Sequence, residues 1–441
     1  MRVDGERVPA ALVEKSPFKE LSRVNNDKDV TVKKRFMTSE MGPKSIRDVL
    51  CKLEGEIADG IAAAMEIDVS GTPKEVRERV VAVLNDDAAA LARLLLKIDS
   101  EIFELVREVV EKGNADIGIM DLFEHPVSAD LVSFLVQFFP EDTKRDGTDI
   151  HYFMPTDEGF CGNIHRLFAD ADFLTRRKRA DGVRRFLKAV ATFYGAVDRI
   201  DLNKVLCVIG RDVANEFELG EPVTASECFD FAQNWVVRHD FQLCLRNPPN
   251  GLGEYLMPVS APENDEEERS LDGLLSSILE DRHGKPMKLP TVDELLQLTN
   301  GNEYDFIETD EGEDLLDFLI DELGHDGEWG VDFLGYVALR VRIGADVEAV
   351  LKGLAKEFGF TMPTKKKLAD EFLALFCNYF NSVPTWGNYG AAPAEMRKRL
   401  GVSGNVELKA FSLPRNPESP GDDDEEDCED EEFSGLPWDR C

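Results

Sequence analysis

Apolar residues recur every three or four positions from Ser45 onward, which is the spacing of one buried face of a helix. The run Thr72-Pro73-Lys74-Glu75 supplies a capping hydroxyl, a proline at the first helical position and a carboxylate at the third. It therefore predicts a helix that starts at Thr72. The positions that share the apolar face up to Gly113 are Val76, Val80, Val83, Leu84, Leu91, Leu94, Leu95, Ile98, Ile102, Leu105, Val106 and Val109. We expect a helical hairpin or bundle.

The sequence on either side of this helical run is less regular. Residues 1–44 alternate short apolar and charged stretches without a sustained period, and we interpret them as an N-terminal arm. Residues 117–165 combine an apolar, aromatic run at Leu131–Phe139 with a turn-like stretch and a β-rich run at Ile150–Met154. These features predict a helical module over residues 45–168 that is closed by a small α+β element.

Residues 170–262 show helical segments followed by two β-rich runs. These elements are expected at Phe186–Tyr194, Leu202–Ile209, a stretch after Thr224, Phe241–Leu245 and Tyr255–Val259. The loop Asn247-Pro248-Pro249-Asn250-Gly251 between the two β-rich runs suits a hairpin. Three helices and then a hairpin is the order of a winged helix. The sequence therefore predicts a winged-helix-like module here.

The rest of the chain is acidic. Residues 263–413 are predicted to form an acidic helical module, because apolar residues are interleaved with the carboxylates of Glu303–Glu328. Its later helices are expected at Phe333–Arg342, Val347–Phe358 and Leu368–Phe380. Residues 414–441 are predicted to be a disordered acidic tail, since their charge opposes burial. The predicted fold class is mainly α: a multi-module helical protein with a central winged-helix-like segment and small β hairpins.

Composition changes this picture mainly through charge. The 441 residues include 87 acidic and 51 basic side chains, for a formal net charge of −36. A field of that sign repels phosphate backbones, so nucleic-acid binding is disfavoured except at a local basic patch. No apolar run predicts a signal peptide or a membrane span. We therefore expect a cytoplasmic protein with no membrane partner, and we interpret its eight cysteines as free thiols.

Several phrases of the sequence resemble a loosely defined group of bacterial helical proteins. Members of this group often begin with a module like the N-terminal domain of Rho termination factor and often end in a zinc-binding SEC-C motif. The phrases are LLLKIDSEIFELVREVVEKG at 94–113, FLKAVATFYGAVDRIDLNKVL at 186–206, LPTVDELLQLTNGNEYDF at 289–306 and FCNYFNSVPTWGNYGAAPAEM at 376–396. The resemblance implies a helical architecture. Only Cys428 and Cys441 stand where the zinc signature would follow, so it implies neither a zinc ligand set nor an activity.

Residues able to hold a metal ion are few and scattered. A structural zinc site needs four converging nitrogen or sulfur ligands, and its strong sequence form, two closely spaced pairs, does not occur. Cys161 and His165 would share a helix face, and Cys228, His239 and Cys244 fall within one module, so a site assembled by folding is the alternative to ordinary packing. Isolated buried cysteine usually only packs, and so neither a metal nor a cofactor is predicted.

No catalytic constellation is recognisable in the sequence. The six histidines occur without a nucleophile-elbow pattern such as Gly-x-Ser-x-Gly. Pairs of carboxylates are uninformative in a chain with 87 acidic residues. No catalytic residue is predicted, and a non-enzymatic protein is favoured over the weaker alternative, a hydrolase with an unrecognised site.

One basic segment stands out against the acidic background. It comprises Arg176, Arg177, Lys178, Arg179, Arg184, Arg185 and Lys188, and it is the candidate phosphate-binding site. Against this, the third helix of the winged-helix-like module carries Glu227 and Asp230 and has no basic residue before Arg238. A helix that reads a DNA groove usually presents Arg, Lys, Asn or Gln. We favour pairing of the segment with the protein's own acidic surface over nucleic-acid binding.

Aromatic residues cluster around Pro384, at the end of the last predicted helix. Tyr379, Trp386 and Tyr389 are the candidate partner-contact residues. If exposed they would form an interaction hot spot, whereas if buried they would close the helix end, and burial is favoured. The sequence as a whole predicts a non-enzymatic adaptor or regulator with a protein partner. The alternative is a nucleic-acid-associated factor that acts through residues 176–188.

Overall fold

The computed structural model shows a protein that is mainly α-helical, as predicted, with two small antiparallel sheets in the part of the chain that it describes. The structure describes residues 44–51, 53, 55–112, 116–117, 135, 137–140, 150–234, 237, 243–248, 253–258, 265–298 and 309–402. The acidic tail predicted for residues 414–441 lies outside this range, as does the predicted N-terminal arm apart from Lys44.

The first core begins with consecutive helices. These are α1 (Ile46–Leu50), α2 (Gly55–Ala64), α3 (Pro73–Asp86), α4 (Ala88–Leu95) and α5 (Ser100–Lys112). A capping box starts α3: the Thr72 hydroxyl accepts a hydrogen bond from the Glu75 amide, and the Glu75 carboxylate accepts one from the Thr72 amide at 2.7 Å. The predicted helix start at Thr72 is confirmed. Asp87 then separates α3 from α4, because its side chain caps α4 through the Ala89 amide at 2.8 Å.

A three-stranded antiparallel sheet follows α5. Strands β1 (Asp116–Ile117) and β2 (Gln137–Pro140) both pair with β3 (Ile150–Phe153), which gives the order β1-β3-β2. The β-rich run predicted at Ile150–Met154 corresponds to β3. Helix α6 (Glu158–Phe168) then packs on α3 and α4 and completes this part of the fold.

Helix α7 (Ala171–Tyr194) is shared by two hydrophobic cores. Asp170 caps its start by accepting a hydrogen bond from the Asp172 amide at 2.9 Å. Phe173, near that end, belongs to the first core, whereas Phe186 and Val190 are buried in the second. At about 1.5 Å per residue, a helix of 24 residues is roughly 36 Å long. A single helix therefore joins the two cores.

The second core contains a small sheet and two helices beside α7. The elements are β4 (Val197–Asp198), α8 (Arg199–Glu216), α9 (Ala225–Ala232), β5 (Cys244–Arg246) and β6 (Tyr255–Met257). Leu256 of β6 pairs with Val197 of β4 on one side and with Leu245 of β5 on the other, so the order is β4-β6-β5. A capping box between Thr224 and Glu227 starts α9, as expected for the helix after Thr224. The predicted hairpin is present as β5 and β6.

Two further helices, α10 (Asp265–Asp281) and α11 (Val292–Gln297), follow the sheet. Leu295 and Leu298 are buried in the second core, where α11 packs on α7 and α8. The Tyr194 hydroxyl donates to the Lys288 carbonyl at 2.7 Å and holds the connection between α10 and α11 against α7. The sequence predicted that these leucines lie in the acidic module 263–413. Periodicity indicates which residues share a buried helix face, but it does not indicate which core that face enters.

The third core is helical. It contains α12 (Asp310–Asp321), α13 (Gly327–Arg342), α14 (Val347–Phe358) and α15 (Lys366–Ser382), and a 3-10 turn (Trp386–Asn388) and α16 (Pro393–Arg399) follow it. On α12, Leu315 and Leu319 are buried while Glu313 and Asp317 are exposed, so the carboxylates form a solvated face as predicted. Helix α14 has the predicted bounds.

Candidate functional site

The end of α10 is tied to two distant segments by one buried arginine. Arg282 is 4% exposed, and its guanidinium donates to the carbonyls of Trp386 at 3.0 Å, Ala196 at 2.7 Å and Tyr194. Two of these carbonyls belong to the end of α7 and its continuation, and the third belongs to the 3-10 turn. Burial lowers the pKa of Arg282. Backbone carbonyl dipoles are therefore the direct partners of this buried charge, and the Trp386 carbonyl also accepts a hydrogen bond from the Tyr389 amide at 3.2 Å.

Trp386 is buried at the same place. Its indole Nε1 donates to the Thr192 carbonyl at 3.0 Å, and the Arg342 guanidinium donates to the same carbonyl. The indole packs on Gly195, where a Cβ atom would lie 2.1 Å from the ring. Gly195 has φ +73°, a backbone conformation that favours glycine, and its lack of a side chain also lets the Trp386 indole pack closely on it. Trp386 therefore closes the end of α7.

Tyr379, the second predicted partner-contact residue, is also buried. Its hydroxyl donates to the Leu334 carbonyl at 3.2 Å inside the third core. Neither Tyr379 nor Trp386 is exposed to a partner in this structure. The burial of Tyr379 and Trp386 agrees with the prediction that these aromatic residues close the helix end.

Tyr389, the third residue of this set, is only partly buried and lines an open cavity of about 360 Å³. We call this cavity the tyrosine cleft. Its lining residues are Pro248, Tyr255, Leu279, Arg282, His283, Gly284, Lys285 and Tyr389. The centre of the Arg282 guanidinium lies 4.4 Å from the centroid of the Tyr389 ring, so the ring rests on the buried cation.

The backbone at Tyr389 is held in an unusual conformation. Its φ of +54° and ψ of 44° are in the left-handed region, which a residue with a bulky side chain rarely occupies. The turn is fixed by Lys285, whose ammonium donates to the Gly387 carbonyl at 3.1 Å and to Asn388 Oδ1 at 2.8 Å. These bonds hold the Tyr389 ring at the mouth of the tyrosine cleft.

The cleft presents neutral hydrogen-bond donors above a positive charge. Burial, together with the nearby carboxylates Asp198 and Asp201, raises the pKa of Tyr255, and burial followed by Asp201 raises that of Tyr389. Both phenols therefore stay protonated at neutral pH. Neither hydroxyl has a hydrogen-bond partner among the residues that the structure describes. Both are available to an acceptor on a ligand.

The cleft lacks the chemistry of a nucleophilic active site. Its described lining includes His283 but no Ser, Thr, Cys, Asp or Glu. A histidine base without a nucleophile or an orienting carboxylate does not make a triad. The arrangement can bind and orient an acceptor-rich group.

Two arginines of the basic segment point into the protein. Arg177 and Arg184 are 2% and 3% exposed. Arg177 pairs with Asp181 at 2.7 Å and donates to the Leu96 carbonyl, while Arg184 donates to the carbonyls of Lys97 and Ile98. These contacts satisfy the end of α4 and the turn after it. Burial removes both side chains from the candidate phosphate-binding set.

The other members of the basic segment lie nearer the surface. Lys178 pairs with Glu218 at 2.8 Å, Arg185 lies 4.0 Å from the same carboxylate, and Arg179 lies 3.6 Å from Glu227. Lys188 is partly buried. Arg176 is exposed and makes no ion pair with another described residue. Arg177 and Arg184 thus make structural contacts, Lys178, Arg179 and Arg185 lie near the protein's own carboxylates, and Arg176 makes no ion pair within the described part of the chain.

The predicted cysteine and histidine set is not brought together. Cys161 Sγ donates to the Pro155 carbonyl at 3.2 Å, and His165 is exposed. Cys228 and Cys244 are buried in the second core, and burial raises the pKa of Cys228 to about 12. His239 lies outside the described residues. Within the described ranges, no three His, Cys, Asp or Glu side chains converge as a metal site would require.

Sequence reasoning missed Arg282, Arg342 and Tyr255. Arg282 lies at the end of an acidic helix, where an exposed basic residue is ordinary, and so no local signal marked it.

No helix in the described ranges has the length and apolar character needed to cross a membrane. Comparison with known proteins finds no matching family model, no similar curated protein and no similar solved structure.

Proposed function

We propose that the protein is a non-enzymatic adaptor or regulator that receives a segment of a protein partner in the tyrosine cleft. The observation that carries this proposal is the conformation of Tyr389. Its ring is half-buried on Arg282, its hydroxyl has no partner among the described residues, and its backbone is left-handed. Such a conformation costs on the order of 1–3 kcal/mol and is retained where the surrounding structure holds it. It keeps an aromatic anchor at the mouth of a cavity.

The chemistry of the cleft supports protein recognition. Tyrosine and arginine are enriched among the residues that dominate binding energies at protein interfaces, and a tyrosine fixed before binding loses little entropy. Tyr255 and Tyr389 offer two phenolic donors, and Lys285 and His283 line the same cavity. No carboxylate is among the described lining residues. The complementary partner is a segment rich in hydrogen-bond acceptors that carries an acidic residue.

The central segment is proposed to be a winged helix that serves protein contact. Its order of helix, short strand, two helices and hairpin supports this, as does the pairing of β4 with β6. The exposed face of α9 carries Glu227 and Asp230, and Arg199 lies 3.8 Å from Asp230. An acidic outer face on that helix disfavours contact with phosphates.

The resemblance to bacterial helical proteins with a Rho-like start gives a second, architectural proposal. The segment 376–396, one of the phrases that carry this resemblance, contains Trp386, Gly387 and Tyr389. These residues form the 3-10 turn beside the cleft. We propose that this chain shares the helical architecture of the group and that it works in the cytoplasm.

The test is capture of binding partners with matched single-hydroxyl variants. The full chain, Tyr389→Phe and Tyr255→Phe would each be used as bait in a lysate, and retained proteins quantified by mass spectrometry. Tyr336→Phe is the control, because Tyr336 is a partly buried tyrosine on α13 and is not among the cleft residues. We expect a retained protein that the two cleft variants lose and the control keeps. Equal retention by all baits would refute the proposal.

A further inference from the structure

A second cavity lies between α4, the end of α6 and the start of α7. Its volume is about 330 Å³. Ala88, Ala89, Ala92, Leu96 and Leu167 supply apolar lining, and the charged lining residues are Arg93, Arg166, Asp170 and Arg176. We call it the arginine pocket. Only Arg176 among these belongs to the basic segment recognised in the sequence.

Three arginines and one aspartate line this pocket. Arg166 and Arg176 are exposed, and neither makes a hydrogen bond or an ion pair with another described residue. The carboxylate of Asp170 is engaged in capping α7 through the Asp172 amide. The local balance is therefore positive, although the whole chain carries a charge of −36.

The third arginine is held in place by the first core. Arg93 Nε donates to the Met65 carbonyl at 3.0 Å and lies 3.4 Å from the exposed carboxylate of Glu66. Ala88 and Ala89, the first residues of α4, also line the pocket. The Ala89 amide at that end already donates to the Asp87 carboxylate at 2.8 Å, so the attraction for an anion comes from the arginines.

The pocket is built on a rigid frame. Arg177, the neighbour of Arg176, turns inward, where it pairs with Asp181 and donates to the Leu96 carbonyl at 3.4 Å. This contact holds α7 in position against the end of α4. Arg176 therefore extends from a helix that a buried contact holds against the end of α4.

We propose that the arginine pocket binds a small phosphate monoester. Guanidinium groups bind phosphate oxygens through paired, charge-assisted hydrogen bonds, and several of them together favour a dianion. A volume of about 330 Å³ is at the lower end of small-molecule sites, and the alanine lining leaves room for an apolar or planar part of the ligand. An extended polyanion is disfavoured, because the chain as a whole carries a charge of −36.

The experiment is isothermal titration of the full chain with inorganic phosphate, pyrophosphate and adenosine monophosphate at low and physiological salt. Arg166→Gln and Arg176→Gln test the pocket. Arg211→Gln is the matched control, because Arg211 is an exposed helical arginine on α8 that is not among the pocket residues. We expect saturable binding of inorganic phosphate or adenosine monophosphate, weakened tenfold or more by each pocket variant and unchanged in the control. Unfolding midpoints without ligand should agree among all four proteins, since the substituted side chains are exposed.

Two results would overturn the proposal. One is the loss of specific monoester binding, seen either as no binding of inorganic phosphate and adenosine monophosphate or as equal weakening in the Arg211→Gln control. The other is tighter binding of a 20-nucleotide single strand than of adenosine monophosphate, with a steep salt dependence that Arg176→Gln flattens. That outcome would make the pocket part of a nucleic-acid surface. Neither result depends on the tyrosine cleft, so this inference and the proposed function fail separately.

Discussion

Arg282 and Trp386 are separated by 104 positions in the chain, yet the Arg282 Nε donates to the Trp386 carbonyl at 3.0 Å in the protein interior. The same guanidinium reaches the carbonyls of Tyr194 and Ala196, and so a single side chain connects α10, the end of α7 and the 3-10 turn. The tyrosine cleft lies directly above it. The integrity of the cleft therefore depends on this buried contact.

Arg282→Met is expected to destabilise the fold by about 2 kcal/mol or more, because the buried carbonyls of Tyr194 and Ala196 lose this donor and an unsatisfied buried group costs on the order of 1–3 kcal/mol. Urea unfolding followed by circular dichroism measures the change. Arg211→Met, at an exposed position, should lie within about 0.5 kcal/mol of wild type. A loss below about 1 kcal/mol for Arg282→Met would show that water replaces the guanidinium and that the contact is not structural.

Gly195→Ala is expected to destabilise the protein by about 3 kcal/mol, since the new methyl group would overlap the Trp386 ring and the residue would keep a left-handed backbone. Gly220→Ala is the matched control. Gly220 has a nearly equal φ of +75° but no heavy atom within 4 Å of the added methyl group, so only the backbone penalty of about 1 kcal/mol remains. Equal losses in the two variants would contradict close packing of the indole on Gly195.

Lys97 predicts a pH dependence of stability. Burial, followed by the neighbouring Arg184, lowers its pKa to about 8, and its ammonium lies 4.1 Å from the centroid of the Phe231 ring. Between that value and the ordinary lysine pKa of about 10.4, the unfolded chain binds more protons than the folded one. The contribution of Lys97 to stability therefore rises with pH across this window, with a slope of at most about 1.4 kcal/mol per pH unit.

Urea unfolding of wild type and Lys97→Met between pH 7 and pH 10 isolates this contribution, because other groups titrate alike in both proteins. We expect the free energy of unfolding of wild type to rise relative to that of the variant as the pH rises above 8. Parallel curves would mean that Lys97 keeps an ordinary pKa in the folded protein.

The basic segment should divide into two classes of arginine. Arg184→Ala is expected to cost about 3 kcal/mol, because it removes a buried charge that binds the Lys97 and Ile98 carbonyls. Arg176→Ala should change stability by less than about 0.5 kcal/mol, because its side chain is exposed. Chemical denaturation of both variants makes the comparison, and similar losses at the two positions would contradict the division.

Local signals in the sequence determined where several helices begin. The capping box at Thr72 involves Glu75 only three residues away, and the one at Thr224 involves Glu227 in the same way. Helix α14 also has the predicted bounds, Val347–Phe358. Capping and apolar spacing are interactions between near neighbours, and so the sequence displays them directly. The mainly α fold class follows from these signals.

Only the tertiary structure decided what those helices bring together. Arg176 and Arg177 are adjacent and chemically identical, but consecutive helical residues point about 100° apart, so one lines an open pocket and the other is buried against Leu96 and Asp181. Arg282 meets its carbonyl partners across 86 to 104 positions of chain. Composition and periodicity cannot predict such distant contacts, because the contacts depend on how whole helices pack.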